Sequence, residues 1–124
     1  MDKKKILIVD DEIEFVDMIM MRLRASGYDV IASYDGEGVI EKIRLERPDL
    51  VLLDIMLPSV DGYIVCSEIK KSADFGNTPV ILLTAKDTTT ETDRLQESKA
   101  DHCMIKPFDP KELLDKIREL IKKT

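Results

Sequence analysis

The sequence contains few residues that bind transition metals. Its 124 residues include one histidine, His102, and two cysteines, Cys66 and Cys103, which do not form a CxxC motif. A single histidine excludes a site built from several histidine ligands, and cysteines so far apart are expected to be reduced structural thiols. His102 and Cys103 are also a poor ligand or catalytic pair, because adjacent residues of a strand point to opposite faces of a sheet.

Long apolar runs are absent as well. The longest are far shorter than the ~18 residues that would indicate a membrane span. No secretory apolar region lies between Met1 and the first apolar run, so we expect a cytoplasmic protein with no membrane partner. A chain of 124 residues can bury a core without disulfides or a structural metal. We therefore expect one compact domain over residues 1–124.

Basic charge is scarce relative to acidic charge. The chain has 25 aspartates and glutamates against 19 lysines and arginines, which gives a formal net charge of −6. A negative net charge repels nucleic acid phosphates, and no basic stripe offsets it. Direct nucleic acid binding by this chain is therefore not expected.

The sequence does contain four short apolar runs that each end on a polar residue. The runs and the polar residues after them are 6–9 with Asp10 and Asp11, 50–53 with Asp54, 80–83 with Thr84, and 103–105 with Lys106. Helical patterns separate the runs, and this alternation predicts an α/β fold with a parallel sheet. Open α/β sheets bind ligands at the edge where their strands end, so these polar side chains should face one cavity.

The helices between the runs have start signals and apolar faces. Asp35 is predicted to cap the second helix, Asp61 to open the third, and Asp109 with Pro110 to begin the last. Apolar residues at helical spacing predict the buried faces. These faces are Val16, Ile19, Met20 and Leu23, then Val39, Ile40 and Ile43, then Ile64, Val65 and Ile69, and finally Leu113, Leu114, Ile117, Leu120 and Ile121.

Residues 87–99 differ from the other helical segments. Leu95 is their only large apolar residue, and three consecutive threonines at 88–90 lower helix propensity. A fourth helix in this segment would bury little apolar surface, so we expect it to be the least stable helix.

Three carboxylates at one sheet edge repel one another unless a cation lies between them. Mg²⁺ suits Asp10, Asp11 and Asp54, because it prefers oxygen ligands and accepts waters and phosphate oxygens as well. A carboxylate can also attack phosphorus and form an acyl phosphate. The central Asp54 is the candidate nucleophile, with Lys106 and Thr84 binding the transferred group. Taken singly, these residues also fit a solvated turn, a helix cap, a surface lysine and a strand end.

Four segments together form a specific set of motifs. They are Ile8-Val9-Asp10-Asp11-Glu12, Asp54-Ile55-Met56-Leu57-Pro58 with Asp61-Gly62, residues 79–85, and Lys106-Pro107-Phe108. This set resembles the receiver domain of bacterial response regulators over residues 4–122. The resemblance implies a flavodoxin-like, doubly wound, five-stranded parallel sheet in strand order 2-1-3-4-5 with five helices. It also implies a phosphoprotein of a two-component or phosphorelay system.

The resemblance assigns roles to the acidic residues. Asp54 would accept a phosphoryl group from a phosphohistidine on a sensor histidine kinase or a histidine phosphotransfer protein. Asp11, Asp54 and the backbone carbonyl of Met56 would hold Mg²⁺ directly, with Asp10 acting through a bound water. The domain would catalyse its own phosphorylation and slow dephosphorylation, and would not be an enzyme that acts on a separate substrate.

The remaining roles concern phosphoryl binding and signalling. By the resemblance, Lys106 would pair with the phosphoryl oxygens, the Ala85 amide would donate to them, and Thr84 would move toward them as a switch. The Lys106-Pro107 bond resembles one that is cis in the family. A downstream protein or an output domain would read the change.

The chain departs from the family pattern in three places. Cys103 stands where an aromatic residue coupled to the switch threonine is usual, and Lys99 stands where glycine is usual. The fourth helix is unusually polar. None of these departures removes a residue needed for phosphorylation.

Three alternative functions remain open at this point. A phosphatase of the haloacid dehalogenase type would need an aspartate at the position of Met56. A flavin-binding protein of the same fold would present hydroxyls and amides to a phosphate, whereas the acidic residues 10–12 would repel one. A binding module that works without phosphorylation would not need the intact Asp11, Asp54, Thr84 and Lys106.

Overall fold

The computed structural model describes residues 3–85 and 92–122, in which strands and helices alternate. The elements are β1 Lys5–Val9, α1 Ile13–Ala25, β2 Asp29–Ser33, α2 Val39–Glu46, β3 Leu50–Asp54, α3 Gly62–Lys71, β4 Val80–Thr84, α4 Thr92–Ser98, β5 His102–Ile105 and α5 Pro110–Lys122. All strand pairs are parallel, and the sheet order is β2-β1-β3-β4-β5. The predicted fold and strand order are confirmed. Within the described ranges, no helix is both long enough and apolar enough to cross a membrane.

The core lies on both faces of the sheet. Along β1, Leu7 and Val9 pack in the cluster that contains the buried side chains of α2 and α3. Ile6 and Ile8 pack in the opposite cluster, with α1 and α5. Successive strand residues point to opposite faces, so a strand covered on both sides must be apolar throughout. This is why the runs read as continuous apolar segments.

Strand register brings the polar residues to one edge. Val9 of β1 pairs with Leu53 of β3, so Asp10 and Asp54 follow at the same level. Thr84 of β4 pairs with Ile105 of β5, which directly precedes Lys106. The order reverses between β1 and β3, the position where doubly wound sheets open a crevice.

The predicted cap of the second helix is wrong. Helix α2 starts at Val39, and its N-cap is Gly38, with a φ of 77° and no side-chain cap. Asp35 instead accepts a hydrogen bond from the Glu37 amide at 3.1 Å and one from the Ser59 hydroxyl. Aspartate readily bonds the backbone two residues ahead, and the glycine permits the left-handed turn that delays the helix.

The start of the third helix was predicted correctly, but one residue of its buried face was not. Asp61 caps α3 by accepting from the Tyr63 amide at 2.8 Å. Val65 and Ile69 are buried as expected, whereas Ile64 is 55% exposed. Tyr63 is 3% exposed and takes part in the core. Ile64 lies one position off the stripe that a helical period of 3.6 residues places against the sheet.

The last two helices agree with their sequence patterns where they are described. Pro110 begins α5, and Asp109 accepts from the Lys111 amide at 2.9 Å. Helix α4 contributes Leu95 to the core as a partly buried residue. Of the segment predicted to be least stable, residues 87–91 lie outside the described residues, and its low stability stays a prediction. Lys99 has a φ of 62°, a left-handed conformation that favours glycine.

The cysteines and the histidine are arranged as predicted. Neither Cys66 nor Cys103 forms a disulfide. Cys103 packs on the same sheet face as α2 and α3. His102 is the neighbour of Cys103 in β5, so its side chain points to the opposite face. Burial and then Lys116 of α5 lower the pKa of His102 below its ordinary value.

Candidate functional site

Asp54 lies buried at the sheet edge where the strands end. It is the last residue of β3, and its side chain is only 8% exposed. Its Oδ1 accepts a hydrogen bond from the Met56 amide at 3.0 Å. Its Oδ2 lies 3.5 Å from the Lys106 ammonium. One carboxylate oxygen is thus held by the backbone, while the other faces a cation.

Asp10 is held more rigidly than Asp54. Its side chain is fully buried, and its amide donates to the Ser33 carbonyl at 3.1 Å, which continues the β1–β2 pairing by one residue. Oδ1 accepts from the Glu12 amide at 2.9 Å, and Oδ2 accepts from Lys106 Nζ at 2.6 Å. This carboxylate therefore fixes both the turn into α1 and the lysine.

The ends of β4 and β5 position the hydroxyl and the ammonium. Thr84 is buried, and its carbonyl accepts from the Lys106 amide at 2.7 Å. Ala85, the next residue, is exposed. The Lys106-Pro107 peptide bond is cis, as the resemblance implied. The predicted phosphoryl-binding residues therefore lie on two neighbouring strands beside Asp54.

A cavity of about 680 Å³ opens next to this edge. The residues that line it include Asp11, Met56, Asp61, Thr84 and Arg94. Arg94 of α4 forms an ion pair with Asp61, and its guanidinium lies 4.7 Å from the centroid of the Tyr63 ring. The cavity is large enough for a small anionic group and its waters.

The acidic cluster includes a residue that the sequence interpretation did not assign. Oxygen atoms of Asp10, Glu12 and Asp54 all lie within 4.8 Å of one another. Asp11, a predicted ligand, is exposed and lines the cavity beside Met56. The clustered carboxylates of Asp10, Glu12 and Asp54 form the hard oxygen donor set that Mg²⁺ prefers, so the residues present fit this ion.

These features agree with the comparison with known families. Residues 6–118 match the family model of the response regulator receiver domain. The chain belongs to this family. The receiver domain is 44% identical over 123 residues to the probable transcriptional regulator ycf27 of Cyanophora paradoxa, covering 99% of this chain and 50% of that protein. It is 40% identical over 121 residues to the alkaline phosphatase synthesis transcriptional regulatory protein PhoP of Bacillus subtilis, covering 98% of this chain and 50% of that protein.

Solved structures agree on the fold. A CheY-like response regulator receiver domain protein of Methanospirillum hungatei superimposes with a TM-score of 0.90 at 29% identity, covering 98% of this chain and 96% of that chain. The receiver domain spans about half the length of the curated relatives that it matches. We expected no direct nucleic acid binding by this chain. The curated relatives are named transcriptional regulators, so the comparison does not bear out that expectation.

Two features of the receiver site were missed at the sequence level. Glu12 accepts from Lys106 Nζ at 2.8 Å, because the Asp10 side chain bonds the Glu12 amide and turns the chain back over the site. The sequence signal for Glu12 was its position as the third consecutive acidic residue, after Asp10 and Asp11. Phe15 lies under the same ammonium, with Nζ 4.3 Å from the ring centroid. No local pattern distinguishes this ring from an ordinary core residue of α1.

The titration of the two central groups follows from burial and charge. Burial, with the charges of Asp10 and Asp11, raises the pKa of Asp54 to about 6, although the Met56 amide and Lys106 act in the opposite direction. Burial alone would lower the pKa of Lys106. Its hydrogen bonds to Asp10 and Glu12 outweigh burial and raise this pKa above the ordinary lysine value.

Asp54→Asn should stabilise the metal-free receiver at neutral pH. The raised pKa means that the folded state binds more protons than the unfolded state between pH of about 4 and 6, so wild-type stability falls as the pH rises through this window. Asparagine carries no charge, so the variant should be more stable by about 1 to 2 kcal/mol above pH of about 6 and lose this advantage below pH of about 4.

The measurement is urea unfolding in EDTA at several pH values. Asp17→Asn, at an exposed position of α1, is the control and should show no such pH-dependent gain. A difference between Asp54→Asn and wild type that stays constant from pH 4 to pH 8 would contradict the assigned ionisation.

Proposed function

We propose that this receiver domain accepts a phosphoryl group from a phosphohistidine onto Asp54. The observation that carries the proposal is the Asp54 carboxylate itself, which is anchored by the Met56 amide and faces Lys106 at 3.5 Å beside an open cavity. An Asp54 oxygen forms the new bond to phosphorus, the bond from phosphorus to the imidazole nitrogen breaks, and the bonding electrons return to the imidazole.

Asp10, Asp11, Asp54 and the backbone carbonyl of Met56 are the proposed ligands of Mg²⁺. The ion would neutralise charge on the phosphoryl oxygens during transfer. The exposed Asp11 carboxylate would bind the ion directly. The buried Asp10 carboxylate, whose Oδ2 already accepts from Lys106, would act through a bound water. Glu12 is an additional carboxylate within the same cluster.

Lys106, Thr84 and Ala85 are the proposed phosphoryl-binding groups. The ammonium offers charge and hydrogen bonds, the threonine a hydroxyl, and the alanine a backbone amide. Thr84 and Cys103 are the proposed switch positions, since β4 and β5 are paired and Cys103 packs on the face that Leu95 of α4 also covers. A cysteine is smaller than an aromatic ring, so its movement would change exposed area less.

The partners follow from this role. We propose a sensor histidine kinase or a histidine phosphotransfer protein as phosphodonor, in the cytoplasm, and a downstream protein or output domain as the reader. The curated relatives are named transcriptional regulators and are about twice as long as this chain, which supports an output domain. The family is one of signalling domains. Slow self-dephosphorylation is proposed as the step that resets the switch.

Incubation with acetyl phosphate and Mg²⁺ tests the proposal. One phosphoryl group per chain should appear by intact-mass analysis, hydroxylamine should remove it as an acyl phosphate requires, and EDTA should prevent it. A protein that binds its partner without incorporating phosphoryl from acetyl phosphate or from a phosphorylated kinase would support the phosphorylation-independent alternative.

Asp11→Ala should remove most of the stabilisation that Mg²⁺ gives to the wild type. A ligand that binds only the folded state stabilises it by mass action, and the gain reaches about 2.7 kcal/mol at a hundredfold excess over Kd. The variant loses a direct oxygen ligand, so its melting temperature should respond weakly to the same Mg²⁺ titration. Asp17→Ala, on the exposed face of α1, should keep the full response. An equal Mg²⁺ response in Asp11→Ala and wild type would exclude Asp11 as a ligand.

A further inference from the structure

An aromatic ring forms part of the lysine environment. Phe15 lies on α1, is partly buried against the core and faces Lys106, whose ammonium lies 4.3 Å from the ring centroid. A cation over the face of an aromatic ring within about 6 Å is attracted by the ring quadrupole. The contact therefore holds the ammonium in addition to the ion pairs.

A second ring supports the first. Phe108 follows Lys106 by two residues, and its centroid lies 5.9 Å from that of Phe15, with the ring planes at 86°. This edge-to-face geometry is favourable for two rings. Both rings pack against the core cluster of α1 and α5, so Phe15 cannot turn freely.

The ring differs from the other partners of the lysine in having no charge. Asp10 and Glu12 bind the ammonium at 2.6 and 2.8 Å, and Asp54 lies 3.5 Å away. An incoming phosphoryl group would compete with these carboxylates for the same hydrogen-bond donors. It would not compete with Phe15, because a ring face accepts no such charge-assisted hydrogen bond. Lys106 can therefore exchange anionic partners while it stays over the ring.

We propose that Phe15 is a positioning residue, which keeps the Lys106 ammonium directed toward the group on Asp54. The inference rests on the proposed phosphoryl-acceptor function. Without the ring, only the carboxylates of Asp10, Glu12 and Asp54 hold the ammonium, and these are the partners with which an incoming phosphoryl group would compete. Ordering the lysine again at each transfer costs free energy that a preorganised site avoids.

The test compares Phe15→Leu with Phe15→Tyr, because leucine keeps apolar volume and tyrosine keeps the ring face. The measured quantity is the affinity for beryllofluoride, a phosphoryl mimic, in the presence of Mg²⁺. Phe15→Leu should weaken binding about two- to fivefold, the factor that a cation–π contact at a partly exposed site corresponds to. Phe15→Tyr should bind nearly as the wild type. Phe75→Leu removes a buried ring of the opposite core face, and should leave the affinity unchanged although the protein melts at a lower temperature.

A double-mutant cycle separates positioning from general structure. In a Lys106→Met background, Phe15→Leu should have no further effect on beryllofluoride affinity, because the cation it positions is gone. A loss of equal size in both backgrounds, or no loss in the wild-type background, would overturn the inference.

The side-chain NMR signals of Lys106 test the contact in the wild-type protein, so this test does not depend on whether Phe15→Leu folds. Ring current from Phe15 should move the Lys106 ε-proton signals upfield of those of Lys5 and Lys70, which are paired with acids and have no ring contact among the described residues. Unshifted signals would refute the contact. If the signals are shifted but neither acetyl phosphate nor a phosphorylated kinase labels the wild type, the proposed function fails while the ring contact stands.

Discussion

Asp54→Asn should abolish incorporation of phosphoryl from acetyl phosphate. The substitution keeps the shape of the side chain and the acceptor oxygen for the Met56 amide, but an amide is not nucleophilic enough to attack phosphorus. Labelling should fall to background, and no hydroxylamine-sensitive product should be detected by intact-mass analysis. This is the largest effect expected of any single substitution in the domain.

Asp61→Asn is the matched control. Asp61 lines the cavity. Like Asp54, it accepts a hydrogen bond from the backbone amide two residues ahead. Asparagine serves nearly as well as aspartate at a helix N-cap, so this variant should fold and label. Labelling of Asp54→Asn at the rate of Asp61→Asn would show that another residue accepts the group, and peptide mapping would identify it.

Gly62→Ala should destabilise the domain by about 3 kcal/mol. A Cβ at this position would lie 2.6 Å from the Ile55 Cα and closer still to the Asp54 carbonyl oxygen. Both are backbone atoms at the end of β3, so neither can move without shifting the acceptor residue. The Gly62 amide also donates to the Ile55 carbonyl at 2.9 Å, which locks α3 onto the strand end.

Urea unfolding in EDTA measures this loss. Gly27→Ala is the matched control, because Gly27 has a φ of 95° and a Cβ there would meet nothing within 4 Å. Only conformational strain opposes alanine at that position, about 1 to 2 kcal/mol. Gly62→Ala should therefore cost more stability than Gly27→Ala and should also slow the labelling of Asp54. If Gly62→Ala cost less stability than Gly27→Ala, α3 would be able to move away from the end of β3 at little cost in free energy.

The helix boundaries show where local patterns succeed and fail. Asp61 and Asp109 were identified as caps because an aspartate ahead of a helix interacts with amides within its own turn. Asp35 has the same chemistry, yet Gly38 lets the chain turn once more before α2 begins. The choice between the two outcomes depends on where α2 docks on the sheet, which no local window of sequence contains.

The sequence by itself determined the four strand ends and hence most of the site. Apolar runs buried on both faces, separated by helical patterns, require a parallel sheet whose strands finish at one edge. Asp54 and Thr84 end their strands, and Asp10 and Lys106 directly follow theirs, so the proximity of these residues needs only the strand order. That order came from the family resemblance and was confirmed by the structure.

Tertiary structure alone decided which side chains contact the Lys106 ammonium. Asp11 is exposed on the cavity, while Glu12 turns back to the ammonium, although both follow the same strand. Phe15 and Lys106 are 91 positions apart in the chain, as the difference between 106 and 15 shows. They meet because α1 and the loop after β5 pack on the same face of the sheet. Contacts between segments so distant depend on packing and register, and these are properties of the assembled sheet rather than of any local sequence pattern.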